Sequence, residues 1–256
     1  MNPTNEQSHH AEIIDQFTRQ AIPFTQVPGY LDSMQILVEL SEVSIEDSVL
    51  DVACGPGLVV CEFAKYAGHI TGIDITPGMI DQAKKRQQEH GLNNVTLDVG
   101  SAVPLPYPDN SFSLVITRYS YHHLLAPVEA LSEMIRVCKP GGRVLVADVA
   151  MEFSKSSAYD RLEILRDPSH THALTKDEFA DLFQKSGLTD CRQTAYGVDI
   201  ELEAQIRASF PREGDEPKLR QMIMEDIGID SLGINVRNES GTIVYTVPIA
   251  VYVGRK

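Results

Sequence analysis

The residues best equipped for chemistry fall in three short stretches of a 256-residue chain. Arg118–Leu124 reads RYSYHHL and brings Tyr119, Tyr121, His122 and His123 together. Histidine titrates near neutrality, so His122 or His123 can take a proton from an oxygen or nitrogen nucleophile. A second group, His170 and His172 beside Asp167 in RDPSHTH, has a metal-like look. No matching carboxylate cluster stands out elsewhere, so a loop cap or part of a small-molecule pocket is the better reading, and no metal is expected. The third stretch is Ser48–Gly57, SVLDVACGPG, where an apolar run ends in Asp51 and turns through Ala53, Gly55 and Gly57. Glycines remove the Cβ atoms that would hold a ligand off the backbone, and Asp51 can reach a cationic group. Asp74 closes another apolar run, HITGID, where a carboxylate can accept both hydroxyl hydrogens of a ribose.

Positioning these groups takes strands that end beside one another. From Val49 an alternation begins: strand Val49–Ala53, helix Leu58–Tyr66, strand His69–Asp74, helix Pro77–His90 and strand Asn94–Val99. Strand Phe112–Arg118, helix Pro127–Val137 and strand Arg143–Val149 continue it. This spacing predicts parallel βαβ units with right-handed crossovers. Downstream, Ala158–Arg166 and Thr175–Ser186 read as helices, the second opened by a Thr175/Glu178 capping box. A sixth strand is expected over Leu188–Ile200, helix over Glu201–Gly228 with a break at PREGDEP, and a last strand over Gly241–Val253. Pro248 suits an edge or a bulge there. Upstream, Met1–His10 reads as frayed, and helices over Ala11–Gln20 and Tyr30–Val43 flank AIPFTQVPG, a connector or a lid.

Composition narrows the partners. The chain is 43% hydrophobic and 23% charged, with no apolar run long enough to span a bilayer. Its N-terminus, MNPTNEQSHH, lacks a basic region followed by an apolar one, so a cytoplasmic location is expected. Cys54, Cys61, Cys138 and Cys191 show no CxxC spacing and read as reduced. The net charge is −14, and Lys84-Lys85-Arg86 is the one basic run. That disfavours nucleic acid and prefers a small molecule.

Taken in order, VLDVACGPG, GIDIT, PLPYPDNSFSLVITRYSYHHL and VCKPGGRVLVADV resemble a class I S-adenosylmethionine (SAM) methyltransferase. The similarity is to the ubiquinone/menaquinone-biosynthesis-type (type 11) small-molecule branch. It spans Val49–Val149, and RDPSHTHALTKDEFADLFQKSGL is similar to downstream sequence in that branch. The resemblance implies an α/β fold: a Rossmann-like three-layer sandwich with a mostly parallel seven-stranded sheet, an antiparallel C-terminal strand and a helical cap. One domain then covers 1–256, with a helical lid at 1–45, a SAM-binding core at 46–150, and cap insertions and final strands at 151–256.

The family's Asp-x-Gly-x-Gly-x-Gly loop falls on Asp51, Ala53, Gly55 and Gly57. Ala53 replaces the first glycine, tolerable while its φ is not positive. Asp74 would take the ribose, and Ile75 and Met79 would flank the adenine or simply belong to the core. Ser101 and Ala102 would face the adenine amino group; the family often has Asp at the first, so the backbone or the Ser101 hydroxyl must serve. Arg118 would lie beneath the methionine moiety, through its backbone. Phe24, Gln26 and Tyr30 would close over SAM, and the acceptor pocket would draw on Phe24, Tyr30, Tyr119, Tyr121, His170 and His172. A cap carrying Tyr159, Phe210, Met222 and Met224 implies a partly apolar acceptor, unless these are core.

The implied activity is in-line methyl transfer to an oxygen, nitrogen or carbon of a small-molecule acceptor, leaving S-adenosylhomocysteine (SAH). Proximity would do most of the work, with His122 or His123 a base or merely packed. Two rivals are a non-catalytic SAM-binding protein and an NAD(P)-dependent oxidoreductase. Val60, standing where a dinucleotide fingerprint has its third glycine, and the missing Tyr-x-x-x-Lys pair count against the oxidoreductase. The long apolar C-terminal strand offers an edge for a homodimer.

Overall fold

Five parallel strands form the centre of the computed structural model, which describes residues 3–23 and 33–256. They are β1 (Ser48–Val52), β2 (His69–Asp74), β3 (Val95–Val99), β4 (Phe112–Arg118) and β5 (Cys138–Val149). Two long antiparallel strands, β6 (Thr189–Glu201) and β8 (Thr242–Arg255), complete the order β3-β2-β1-β4-β5-β8-β6. An eighth, β7 (Arg237–Glu239), forms a hairpin with the start of β8 and was absent from the sequence reading. Three residues carry too little periodicity to announce a strand.

Both sheet faces are covered, which is why the central strands are near-continuously apolar. Leu114 and Ile116 of β4 pack into one apolar layer, with Leu145 of β5 and Phe63. Val115 and Val144, one residue out of phase, pack into the other with Leu131, Phe179 and Tyr252. Helices α2 (Met34–Ser41), α3 (Leu58–Phe63) and α4 (Pro77–Glu89) contribute to the first layer, α5 (Pro127–Val137) and α7 (Lys176–Lys185) to the second. The expected capping box opens α7: Glu178 N donates to Thr175 Oγ1 at 3.2 Å and Thr175 N to Glu178 Oε2 at 2.7 Å.

The final strand corrects two expectations. β8 is interior, bonded to β5 on one side and β6 on the other, so it offers no edge to a second chain. Pro248 is tolerated because its carbonyl accepts from Ala150 N, just past the end of β5. In an antiparallel strand a residue's N–H and C=O point the same way, so the missing donor would have faced a neighbour that has already stopped.

The rest of the chain builds the cap: α1 (Pro3–Gln20), α6 (Phe153–Arg166), α8 (Leu202–Ala208) and α9 (Glu216–Glu225). The break between α8 and α9 falls at PREGDEP, as expected. Helix α1 starts at Pro3, well before the expected Ala11, because its N-terminal half also has a surface to cover. Gln26 lies outside the described residues, with Phe24 and Tyr30. Among the described residues no helix is long and apolar enough to cross a membrane.

Candidate active site

The strand order reverses between β1 and β4, the switch point at which open α/β sheets bind ligands. A cavity of about 440 Å³ opens there, over the carboxyl ends of the strands. Its floor is the β1–α3 loop, where Ala53 (φ 55°), Gly55 (φ 53°) and Gly57 (φ 79°) all adopt left-handed backbone. Ala53 therefore departs from the expectation set for it and carries strain on the order of 1 kcal/mol. The two glycines serve different ends. A Cβ on Gly55 would meet nothing within 4 Å on its cavity-lining position, whereas one on Gly57 would lie 2.9 Å from Ala83 Cβ. Gly57 thus lets α3 and α4 approach, and it does not line the cavity.

Asp74 ties this loop to β2. Its Oδ2 accepts from Gly55 N at 2.9 Å and its Oδ1 from Thr76 N at 2.8 Å, and each oxygen keeps a further lone pair. Ile75, Met79, Ser101 and Ala102 line the same end of the cavity. The Ser101 hydroxyl is turned into its own loop, donating to Val103 O at 2.8 Å, so only backbone is left to face a ligand. Asp51 lies just behind the lining. It is 1% exposed, and its Oδ2 is buried with no hydrogen-bond partner. Burial, then the charge of Asp74, pushes its pKa well above the usual carboxylate range, against the pull of Arg118. A cation beside it would restore the charged form.

At the other end, a 3₁₀ turn over Tyr121–His123 aims the two histidines differently. His122 Nδ1 lies 2.6 Å from Asp148 Oδ1. Asp148, at the end of β5, also accepts from Tyr121 N at 2.7 Å and from Val149 N at 2.7 Å. A carboxylate only accepts, so Nδ1 carries the hydrogen and the neutral ring keeps its lone pair on Nε2. That atom has no partner among the described residues, and the ring lines the cavity. Burial alone would depress the His122 pKa; the charge and hydrogen bond of Asp148, with Glu163, more than offset it and raise it. His123 lines the cavity too, but its Nδ1 donates to Ser169 O at 3.0 Å and Phe17 meets its ring edge-on at 4.9 Å. Burial, then the charge of His122, drives its pKa well below the ordinary value.

Arg118 and Tyr119 also line the cavity. The guanidinium stacks 4.0 Å over the Tyr119 ring, and Tyr119, at φ 58°, shares its hydroxyl with Arg118 at 2.9 Å and Tyr196 at 3.0 Å. Three expected pocket residues stand elsewhere. Tyr121 turns into the opposite apolar layer against Phe179. His170 donates through Nε2 to Asp160 at 2.8 Å and does not line the cavity. His172 bridges Asp160 at 2.7 Å and Glu178 at 3.0 Å, which lifts its pKa to about 9 and makes it a loop clasp. Among the described residues no cluster of three or more His, Cys, Asp or Glu side chains is placed to hold a metal.

Sequence reasoning passed over Asp148 and Glu163. Asp148 carries the same signal as Asp51 and Asp74, an acid closing an apolar strand. Glu163, on α6, lines the cavity with one oxygen on Arg166 at 2.8 and 2.6 Å. Helix α1 roofs the cavity with His9, His10, Ile13, Phe17 and Gln20; His9 Nε2 donates to His123 O at 2.8 Å and Gln20 Nε2 to Asp167 Oδ2 at 2.9 Å.

A sheet with this switch point and this loop defines a methyltransferase-type Rossmann-like fold. Residues 44–187 match the family described as the methyltransferase domain, and the chain belongs to that family. It is 30% identical over 178 residues to the uncharacterized methyltransferase YcgJ of Bacillus subtilis, a match covering 69% of this chain and 70% of that protein. The crystal structure of YcgJ superposes with a TM-score of 0.79 at 26% identity, covering 88% of this chain and 97% of that one. A demethylmenaquinone methyltransferase of Symbiobacterium thermophilum is 36% identical over 113 residues, but the match covers only 43% of this chain and 45% of that protein.

The methyl donor this family and fold imply is SAM, and the residues present fit it. An orphaned buried carboxylate oxygen on Asp51 suits an ammonium. The remaining lone pairs of Asp74 suit a ribose diol, and Ile75 and Met79 suit the faces of a purine.

Proposed function

We propose that this chain works as one unit to transfer a methyl group from SAM to a small-molecule acceptor, with His122 taking the acceptor's proton. The observation that carries the donor assignment is the pair of buried acids, Asp51 and Asp74, closing adjacent strands beneath a loop with no side chain at Gly55. Bound SAM supplies a methyl group already activated by a positively charged sulfur. The protein's tasks are then to hold the donor, align the acceptor and exclude water. Asp51 and Asp74 would anchor the two ends of the donor, and Gly55 would let it lie on the backbone. Phe17 and its helix cover the cavity from solvent. His122, its Nδ1 fixed by Asp148, presents Nε2 as the proton acceptor; His123 is occupied by Ser169 and Phe17 and holds the turn.

Calorimetric titration with SAM, SAH and NADH tests this. Micromolar binding of the two sulfur ligands without NADH is expected. Binding of NADH alone, or of none, would overturn it.

A further inference from the structure

The acceptor end of the cavity carries a carboxylate that nothing in the donor half requires. Glu163 is 6% exposed, and both contacts from Arg166 fall on its Oε2. Oε1 has no partner among the described residues, and the side chain lines the cavity with His122. Asp167, fully buried, lines it too, so the two acids face Arg166 as their one nearby guanidinium. Phe17, Tyr159 and Tyr245 also line the cavity, among aliphatic side chains such as Ile200 and Ile249. A carboxylate oxygen left without a partner on the cavity wall is open to a donor, and aromatic rings in the lining favour a cation. The guanidiniums that line the cavity are already engaged, Arg166 by Glu163 and Asp167 and Arg118 by Tyr119 and Tyr196. The whole chain, at −14, attracts cations over longer range.

Resting on the methyl-transfer reading above, we infer that Glu163 is the acceptor-recognition group and that the acceptor is a protonated primary or secondary amine. Glu163 Oε1 receives one N–H of the ammonium, placing the nitrogen beside His122. The ammonium gives one proton to His122 Nε2, freeing the lone pair. That pair forms the new N–C bond while the electrons of the breaking C–S bond return to sulfur, yielding a methylammonium, SAH and one proton on His122.

Benzylamine and benzoate, one ring with opposite charges, test the assignment on SAH-loaded protein carrying isotope-labelled histidine. Benzylamine is expected to shift the His122 resonances with millimolar affinity, at least tenfold tighter than benzoate. Glu163→Gln should weaken benzylamine at least tenfold and leave SAH affinity unchanged, which also reports that the variant is folded. Equal or tighter binding of benzoate, an unchanged benzylamine affinity in Glu163→Gln, or no response of His122 to either probe would overturn it. Loss of SAH binding by the unmutated protein would instead fell the donor reading, and this assignment with it.

Discussion

His122 Nδ1 and Asp148 Oδ1 lie 2.6 Å apart, joining the turn after β4 to the end of β5 beside the cavity that His122 lines. Thr171 braces the same histidine from behind, its N and its Oγ1 each donating to His122 O at 2.8 Å. Ring and backbone are thus both fixed, and the remaining ring nitrogen has one direction to face.

Replacing Asp148 with Asn should remove the charge that raises the His122 pKa. The groups facing the ring are Asp148, Glu163, Arg166, His123 and His170. NMR titration should place the His122 midpoint above about 6.5 in the unmutated protein and lower in Asp148→Asn, with SAH affinity unchanged. Identical midpoints would show that Asp148 does not set the state of the ring.

The two histidines should separate kinetically. His122→Ala should cost roughly 10²-fold or more in SAH release, and His123→Ala only a few fold, through its contact with Phe17. Equal losses would count against assigning the proton to His122.

Asp74→Ala should abolish SAM binding by calorimetry. It should also lower the melting temperature, because Gly55 N and Thr76 N lose their acceptor, at about 1–3 kcal/mol for each buried group left unpaired. An unchanged SAM affinity would refute the ribose assignment.

Gly55→Ala and Gly57→Ala should fail in different ways. At Gly57 the new methyl meets Ala83 at 2.9 Å in left-handed backbone, so the loss should appear mainly in thermal stability, about 2–4 kcal/mol. At Gly55 only the backbone cost of about 1–2 kcal/mol applies, and SAM affinity should fall instead. Chemical denaturation beside calorimetry distinguishes the two.

His172 should make stability pH-dependent. The hydrogen bonds it donates to Asp160 and Glu178 raise its folded pKa to about 9, so its contribution is complete below about 6.5, the unfolded value. It is lost as pH rises through 9. The melting-temperature gap between unmutated protein and His172→Gln should therefore be widest at pH 6 and close by pH 10.

The donor half was legible because the constraints there are local. Asp51, Gly55 and Asp74 sit at strand ends and turns whose residue types follow from backbone conformation and ligand approach. Chain order then gave the parallel sheet. The acceptor half was less so because its residues meet only in three dimensions. Glu163 is one of two acids on its helix, and nothing along the chain places it beside His122. Tyr121 and His122 are adjacent in sequence, yet the 3₁₀ turn sends Tyr121 into an apolar layer and His122 to the cavity, which spacing alone does not encode. Pro248 was misjudged for a related reason: whether a strand is an edge depends on where its neighbour ends.

The position of β8 bears on how the protein is made. It follows β5 and β6 along the chain, yet it must enter between them, and Val247 and Ile249 of its length form part of the cavity wall. Until then β5 and β6 have no partner on those sides. Before β8 docks, the chain therefore carries open edges on β5 and β6 and an incomplete pocket, and it completes its ligand site in the same step that closes the sheet.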